Sequence, residues 1–186
     1  MSKCRIMIAS ITLIAATLLA GDSPGNDQPQ FNSKGELLFP SDYREWVFLG
    51  SGLGMTYDAN AKPAEDPHFD NVFAAPFAYK GFRETGKWPD HTVLMLEVRA
   101  SVSKGSINKG GRFQSDLAAI EAEVKDDRFG TKWAFFSFDK GRATGRQFPV
   151  TESCYACHAE HGAVDNTFVQ FYPTLLEIAR QKGTLR

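Results

Sequence analysis

The sequence predicts an α+β fold: a single domain in which an antiparallel β-sheet is flanked by a few helices. Two observations predict it. Thr92–Ala100, Ala119–Lys125 and Lys132–Phe138 alternate apolar and polar residues or concentrate aromatics, as strands do. Segments towards both ends of the chain instead open on a capping residue or proline and stop at glycine, as helices do. A chain of 186 residues without an internal repeat suits one domain with a sizeable core.

In chain order, Lys3 and Arg5 precede an almost wholly apolar run, Ile6 to Ala20, that is short for a membrane span. Small residues at Ala20 and Gly21 then give way to polar sequence. Residues 1–20 are read as a secretory signal peptide, rather than an uncleaved anchor, which places the mature protein in the periplasm. No cysteine follows the apolar run, so a lipid anchor is not expected. Residues 21–35 read as a flexible arm, and residues 36–186 as the folded domain.

Ser41 or Asp42 can cap a helix carrying Tyr43, Trp46, Val47 and Leu49, ended by the glycines at 50, 52 and 54. Residues 58–68 are loop by composition, and Asn71–Ala74 is a short strand. Pro76 starts a helix through Phe82 that stops at Gly86. In Thr92–Ala100, Leu94, Leu96 and Val98 share one face, with Val93, Met95, Glu97 and Arg99 on the other. Ser101–Gly111 is a polar loop. Ala119–Lys125 alternates as a strand, although Ala and Glu also allow a helix. Lys132–Phe138 is a further strand, and a last helix covers Leu175–Arg180 after Pro173.

The most specific stretch is Cys154-Tyr155-Ala156-Cys157-His158, on a predicted helix near the C-terminus. Two thiols at this spacing can each add to a porphyrin vinyl group, and the adjoining histidine then lies under the iron as axial ligand. The competing readings are weaker. A zinc site needs two more N/S ligands, and no other histidines are paired at zinc spacing. A thioredoxin-like motif belongs after a strand near the start of a βαβ unit. A small-loop disulfide is the third alternative. Of three cysteines, Cys4 lies in the signal segment, which leaves Cys154 and Cys157 for one covalent haem c per chain. Fifteen phenylalanines suit a domain that walls off a flat cofactor, though most are ordinary core material. The slightly acidic chain, at a net charge of −1, points to neither nucleic acid nor an anionic membrane as partner.

An electron-transfer cytochrome of the small type supplies a methionine downstream of this motif. Residues 159–186 contain none. His161, on the same helix as His158, cannot reach the opposite haem face. Met55, Met95, His68 and His91 remain as sixth-ligand candidates, each with a blander role as core, turn or surface residue. The sequence therefore leans towards a five-coordinate iron with one open face.

The residues also carry a resemblance. Asn32-x-x-Gly35-Glu36-Leu37, Tyr43-Arg44-Glu45-Trp46-Val47, Thr85-Gly86-x-x-x-Asp90, Thr92-Val93, Glu121-Ala122-x-Val124-Lys125-Asp126, Arg128-Phe129, Trp133-Ala134-Phe135, Cys154-x-x-Cys157-His158 and Phe171-Tyr172-Pro173 occur in one order over about residues 31–180. This order resembles the cytochrome P-460 family. The resemblance implies an antiparallel sheet with a few helices, a homodimer and one pentacoordinate haem c. Catalytic members oxidise hydroxylamine and nitric oxide, whereas the related cytochromes c′-beta bind gases, chiefly nitric oxide.

The resemblance also implies which group is nearer. Catalytic members carry a porphyrin-linked lysine in the strand after the Thr-Val pair; here that position is Leu96, which has no nucleophile. Lys104 and Lys109 lie beyond it, in the polar loop. The residue before the proline that precedes the haem motif, a carboxylate in some active members, is Phe148. A pocket lined by Leu96 and Phe148 is expected to be apolar, to lack a base for hydroxylamine oxidation, and to favour nitric oxide or carbon monoxide over dioxygen. The expected function is binding of nitric oxide by a cytochrome c′-beta-like protein. No catalytic residues are assigned, and the redox partner is unknown. An oxidoreductase acting on hydroxylamine or nitric oxide, and a six-coordinate electron carrier, are the alternatives.

Overall fold

The computed structural model describes residues 27–57, 60–139 and 143–186. These form an α+β domain around a seven-stranded antiparallel sheet: β1 (Leu37–Leu38), β2 (Val47–Leu53), β3 (Phe69–Ala74), β4 (Val93–Val102), β5 (Phe113–Lys125), β6 (Trp133–Phe138) and β7 (Thr144–Gln147), in spatial order β1-β7-β6-β5-β4-β3-β2. Three helices complete it: α1 (Pro76–Thr85), α2 (Ser153–His161) and α3 (Pro173–Gln181). Strands adjacent in sequence are adjacent in the sheet from β2 to β7, with α1 inserted between β3 and β4. Among the described residues no helix is long and apolar enough to cross a membrane. The signal peptide expected over residues 1–20 lies outside the described residues.

The helix starts and stops act as their chemistry dictates. Pro76 sits in the first turn of α1, where its missing N–H costs no helical hydrogen bond. Gly86 ends α1 in the left-handed region, φ 75°, and donates its N–H to the Phe82 carbonyl at 2.7 Å. Pro173 opens α3 in the same way.

One expected helix is not there. Asp42 makes no side-chain cap; Tyr43–Glu45 close a single tight turn, Trp46 is already extended, and Val47–Leu53 run as β2. Val, Phe and Leu favour a pleated surface, and pairing with β3 outweighs the capping signal. Of the glycines read as a helix stop, Gly50 and Gly52 lie within this strand and Gly54 directly follows it. At Gly50 an added Cβ would lie 3.0 Å from the Phe171 carbonyl oxygen, so the absent side chain lets the C-terminal segment cross β2 closely. For Ala119–Lys125 the strand reading holds over the helix, because β5 is paired on both sides.

Alternation along β4 and β5 sorts the sheet into two faces. On one, Met95, Ala122, Val124 and Phe136 are buried beneath Phe31, Phe39 and Tyr43. Residues 27–35, the second part of the arm expected to be flexible, are held there: Phe31 bridges Leu37 and packs 5.9 Å from Phe136. Glu97 is buried on this face as well. It accepts hydrogen bonds from Tyr43, Arg44, Arg99 and, at 3.4 Å, Asn71. The other face carries Val72, Leu94, Leu96, Glu121, Glu123 and Phe135, and the C-terminal segment folds over it.

Candidate haem site

After the turn in which Glu152 N–H meets the Pro149 carbonyl, α2 carries Cys154, Cys157 and His158. Offsets of three and four residues place Cys154 on the same helical face as Cys157 and His158. Both thiols are free and half-buried. All three residues line a cavity of about 530 Å³ between α2, the inner sheet face and the segment at Phe168–Tyr172. That size is within the roughly 300–1,000 Å³ of small-molecule and cofactor sites. Among the described residues the cysteines belong to no cluster of His, Cys, Asp and Glu with metal-binding geometry: the candidate cluster is Asp90, His91 and Asp126, outside this cavity.

His158 is held on three sides. Its ring packs 4.6 Å from Phe135 and 4.3 Å from Phe168. Nδ1 lies 2.9 Å from the Asn166 carbonyl oxygen and 3.3 Å from Glu123 Oε2. Both acceptors face Nδ1, which fixes the proton there and leaves the Nε2 lone pair for a metal. Burial works to lower the histidine's pKa, but the charge and hydrogen bond of Glu123 and the Asn166 carbonyl together raise it above the ordinary value.

The turn that presents Asn166 is built with care. Asp165 and Asn166 take left-handed backbone, φ 49° and 62°, a region these two residue types tolerate. The Thr167 hydroxyl donates to the Val164 carbonyl at 2.7 Å and accepts from Trp88 Nε1 at 2.8 Å. Trp88, 2% exposed, thus ties this turn to the end of α1.

Leu96 and Phe148 line the same cavity as Cys154, Cys157 and His158. Leu96 reaches it because it shares a sheet face with Leu94, next to Val72 on β3 and Glu121 on β5. Phe148 is half-buried; its N–H donates to the Phe135 carbonyl at 2.8 Å. Lys104 and Lys109 are exposed in the β4–β5 loop, away from this cavity. Of the sixth-ligand candidates, His68 is exposed, and His91 pairs with Asp90 and Asp126. Met95 is fully buried and borders the cavity, but alternation turns its side chain to the opposite sheet face. Met55 does line the cavity.

A pocket without a base was expected from Leu96 and Phe148, and the structure corrects this. Asp70, Glu121 and Glu123 line the same cavity. Burial holds the carboxyl of Asp70 above its usual range, and burial with the nearby Asp70 charge does the same for Glu121. Their signal was present in the Glu121-Ala122-Glu123 alternation. A glutamate on a strand is ordinarily a solvent-facing residue, however, and only the pairing of β5 with β4 turns this pair inward.

These residues fit a haem. The cavity is large and mostly apolar, two thiols sit on one helical face, and an oriented imidazole stands beside them. One buried oxygen, Glu123 Oε2, has no well-aligned hydrogen bond although it lies near His158. A family model described as Cytochrome P460 matches residues 40–169. A comparison with curated proteins returns no match.

Proposed function

Because the chain belongs to the cytochrome P460 family and is therefore a haem protein, we propose that it is an exported monohaem protein of the c′-beta type that binds nitric oxide. Cys154 and Cys157 would hold the haem through thioether bonds, and His158 would ligate its iron. When bound, the haem would supply an iron able to take a small neutral molecule. Leu96 and Phe148 form part of the wall around that ligand and withhold the hydrogen-bond donor that would favour dioxygen. Nitric oxide and carbon monoxide are the ligands this environment suits. The observation that carries the proposal is the convergence of the haem motif and Leu96, where a cross-linking lysine would stand, on one cavity. Periplasmic location follows from the apolar run over residues 6–20. As implied by the family, the protein works as a homodimer, which a monomeric mass by light scattering at micromolar concentration would contradict. Nucleic acid and membrane are not among its partners; its redox partner is left open.

The wall predicts a mutational result. Phe148→Ala should widen the cavity and speed ligand entry in stopped-flow mixing. Because Phe148 is half-buried, the stability cost should fall below the ~3–5 kcal/mol of a fully buried ring. Unchanged ligand kinetics would remove Phe148 from the wall.

A second reading, oxidation of hydroxylamine or nitric oxide, draws support from Asp70 and Glu121, which put bases in the cavity. Against it stands Leu96, which cannot form the cross-link. Hydroxylamine with an excess of an artificial oxidant separates the two: turnover no faster than free haem is expected, and multiple turnovers well above that rate would establish the oxidoreductase. Met55 in the cavity lining is the observation on which a six-coordinate electron carrier would rest.

A further inference from the structure

Glu123 is a carboxylate in an unusual position. Its side chain is only 12% exposed, and its cross-strand neighbours on β4 and β6 are Leu94 and Phe135. Among the described residues no lysine or arginine pairs with it; Lys125, two positions along β5, is engaged by Asp165 and the Trp88 carbonyl. The nitrogen it does face is that of the His158 ring, with Oε2 3.3 Å from Nδ1. A carboxylate buried among apolar groups is costly unless it is paired and hydrogen-bonded. Oε2 is nevertheless without a well-aligned donor. His158 is also locked by Phe135, Phe168 and the Asn166 carbonyl, so orientation of the ring alone does not require a charge here.

We propose that Glu123 is a positioning residue that acts on the haem iron through His158. The Nδ1 proton is hydrogen-bonded to a neutral acceptor, the Asn166 carbonyl, and an anionic oxygen of Glu123 lies 3.3 Å from the same nitrogen. An anionic acceptor draws the proton away from the ring and makes Nε2 a more basic ligand than a carbonyl alone would. A more basic ligand strengthens the bond to iron and stabilises the ferric over the ferrous state. Glu123 therefore sets the reduction potential and the strength of the axial bond, and with them the grip on a ligand bound on the other face. No proton or electron is transferred in the resting protein; only the sharing of one hydrogen changes. This inference rests on His158 being the axial ligand of a bound haem.

The test compares Glu123→Gln with Glu121→Gln in the haem-loaded protein. Glu121 lines the same cavity, two residues away on the same sheet face, but is not among the hydrogen-bond or ion-pair partners of His158, which are Asn166 and Glu123. Resonance Raman of the ferrous protein reads the iron–histidine stretch, and redox titration reads the midpoint potential. Glu123→Gln should lower the stretching frequency. It should also raise the ferrous-to-ferric ratio at fixed potential by tenfold or more, equivalent to about 59 mV for one electron. Glu121→Gln should leave the stretch in place and move the potential less. Equal shifts in both variants would reduce Glu123 to a general cavity charge, and unchanged values in Glu123→Gln would remove it altogether; either result overturns the proposal. Should Glu123→Gln fail to fold, the unsubstituted protein decides. A stretch in the range of carboxylate-bonded histidines supports the proposal, and one in the range of carbonyl-bonded histidines overturns it. A wild-type protein without haem would be recognised before any variant is made and would overturn the haem reading and this inference together.

Discussion

Replacing both Cys154 and Cys157 with alanine should leave a folded chain from which any haem extracts into acidified organic solvent. The two thiols lie on one face of α2 and line the cavity, so each can reach one side of a bound porphyrin. Neither holds the fold together: both are free, half-buried and outside the hydrophobic core. Single variants should keep one thioether and retain haem on denaturation, at reduced yield. Intact mass and far-UV circular dichroism check this, the first reading attachment and the second the fold. Haem that stays covalently bound in the double variant would place the attachment elsewhere, and haem that extracts from the wild type would end the c-type reading.

The second large effect concerns the opposite face of the sheet. Glu97 is 4% exposed and sits among Tyr43, Arg44, Arg99 and Asn71. Burial alone would raise its pKa, but hydrogen bonds from Arg99, Tyr43 and Arg44 outweigh burial and lower it from 4.5 to about 2. Glu97→Ala leaves two guanidinium groups around a buried phenol without their shared anion. Breaking a buried pair by removing one partner costs about 3–5 kcal/mol, and Arg44, which is largely exposed, places the expected loss near the lower end. The pH dependence follows from the same group. A carboxylate depressed in the folded state contributes its stability above the unfolded pKa and loses it as pH falls through the folded one. For Glu97 that window runs from about pH 4.5 down to about pH 2. Urea midpoints should fall across this window in the wild type and fall less steeply in Glu97→Gln. Equal pH slopes in the two would mean that Glu97 titrates normally.

Local chemistry was legible where a few neighbouring residues decide the outcome. Pro76 and Gly86 bound α1, Pro173 opens α3, and Cys154 to His158 reads as a haem motif, because each feature acts within one or two helical turns. The faces of β4 followed from alternation, which is how Leu96 could be placed with Leu94. What escaped depends on distant partners. Val47–Leu53 became a strand because β3 lies beside it, against a capping signal at Asp42 that nothing completes. The short strand Leu37–Leu38 forms against Thr144–Gln147, which in turn pairs with β6. Glu121 and Glu123 turned inward because β5 has neighbours on both sides. The groups around His158 come from β5, β6 and the turn at Asn166, and no spacing near residue 158 names Glu123 or Phe135.

The most direct measurement is the absorption spectrum of the purified ferrous protein, recorded before and during titration with nitric oxide. A plain high-spin, five-coordinate spectrum that converts to a nitrosyl form at one nitric oxide per haem is the predicted result. A low-spin, six-coordinate spectrum that nitric oxide leaves unchanged would contradict it, and would direct attention to Met55 as a second axial ligand.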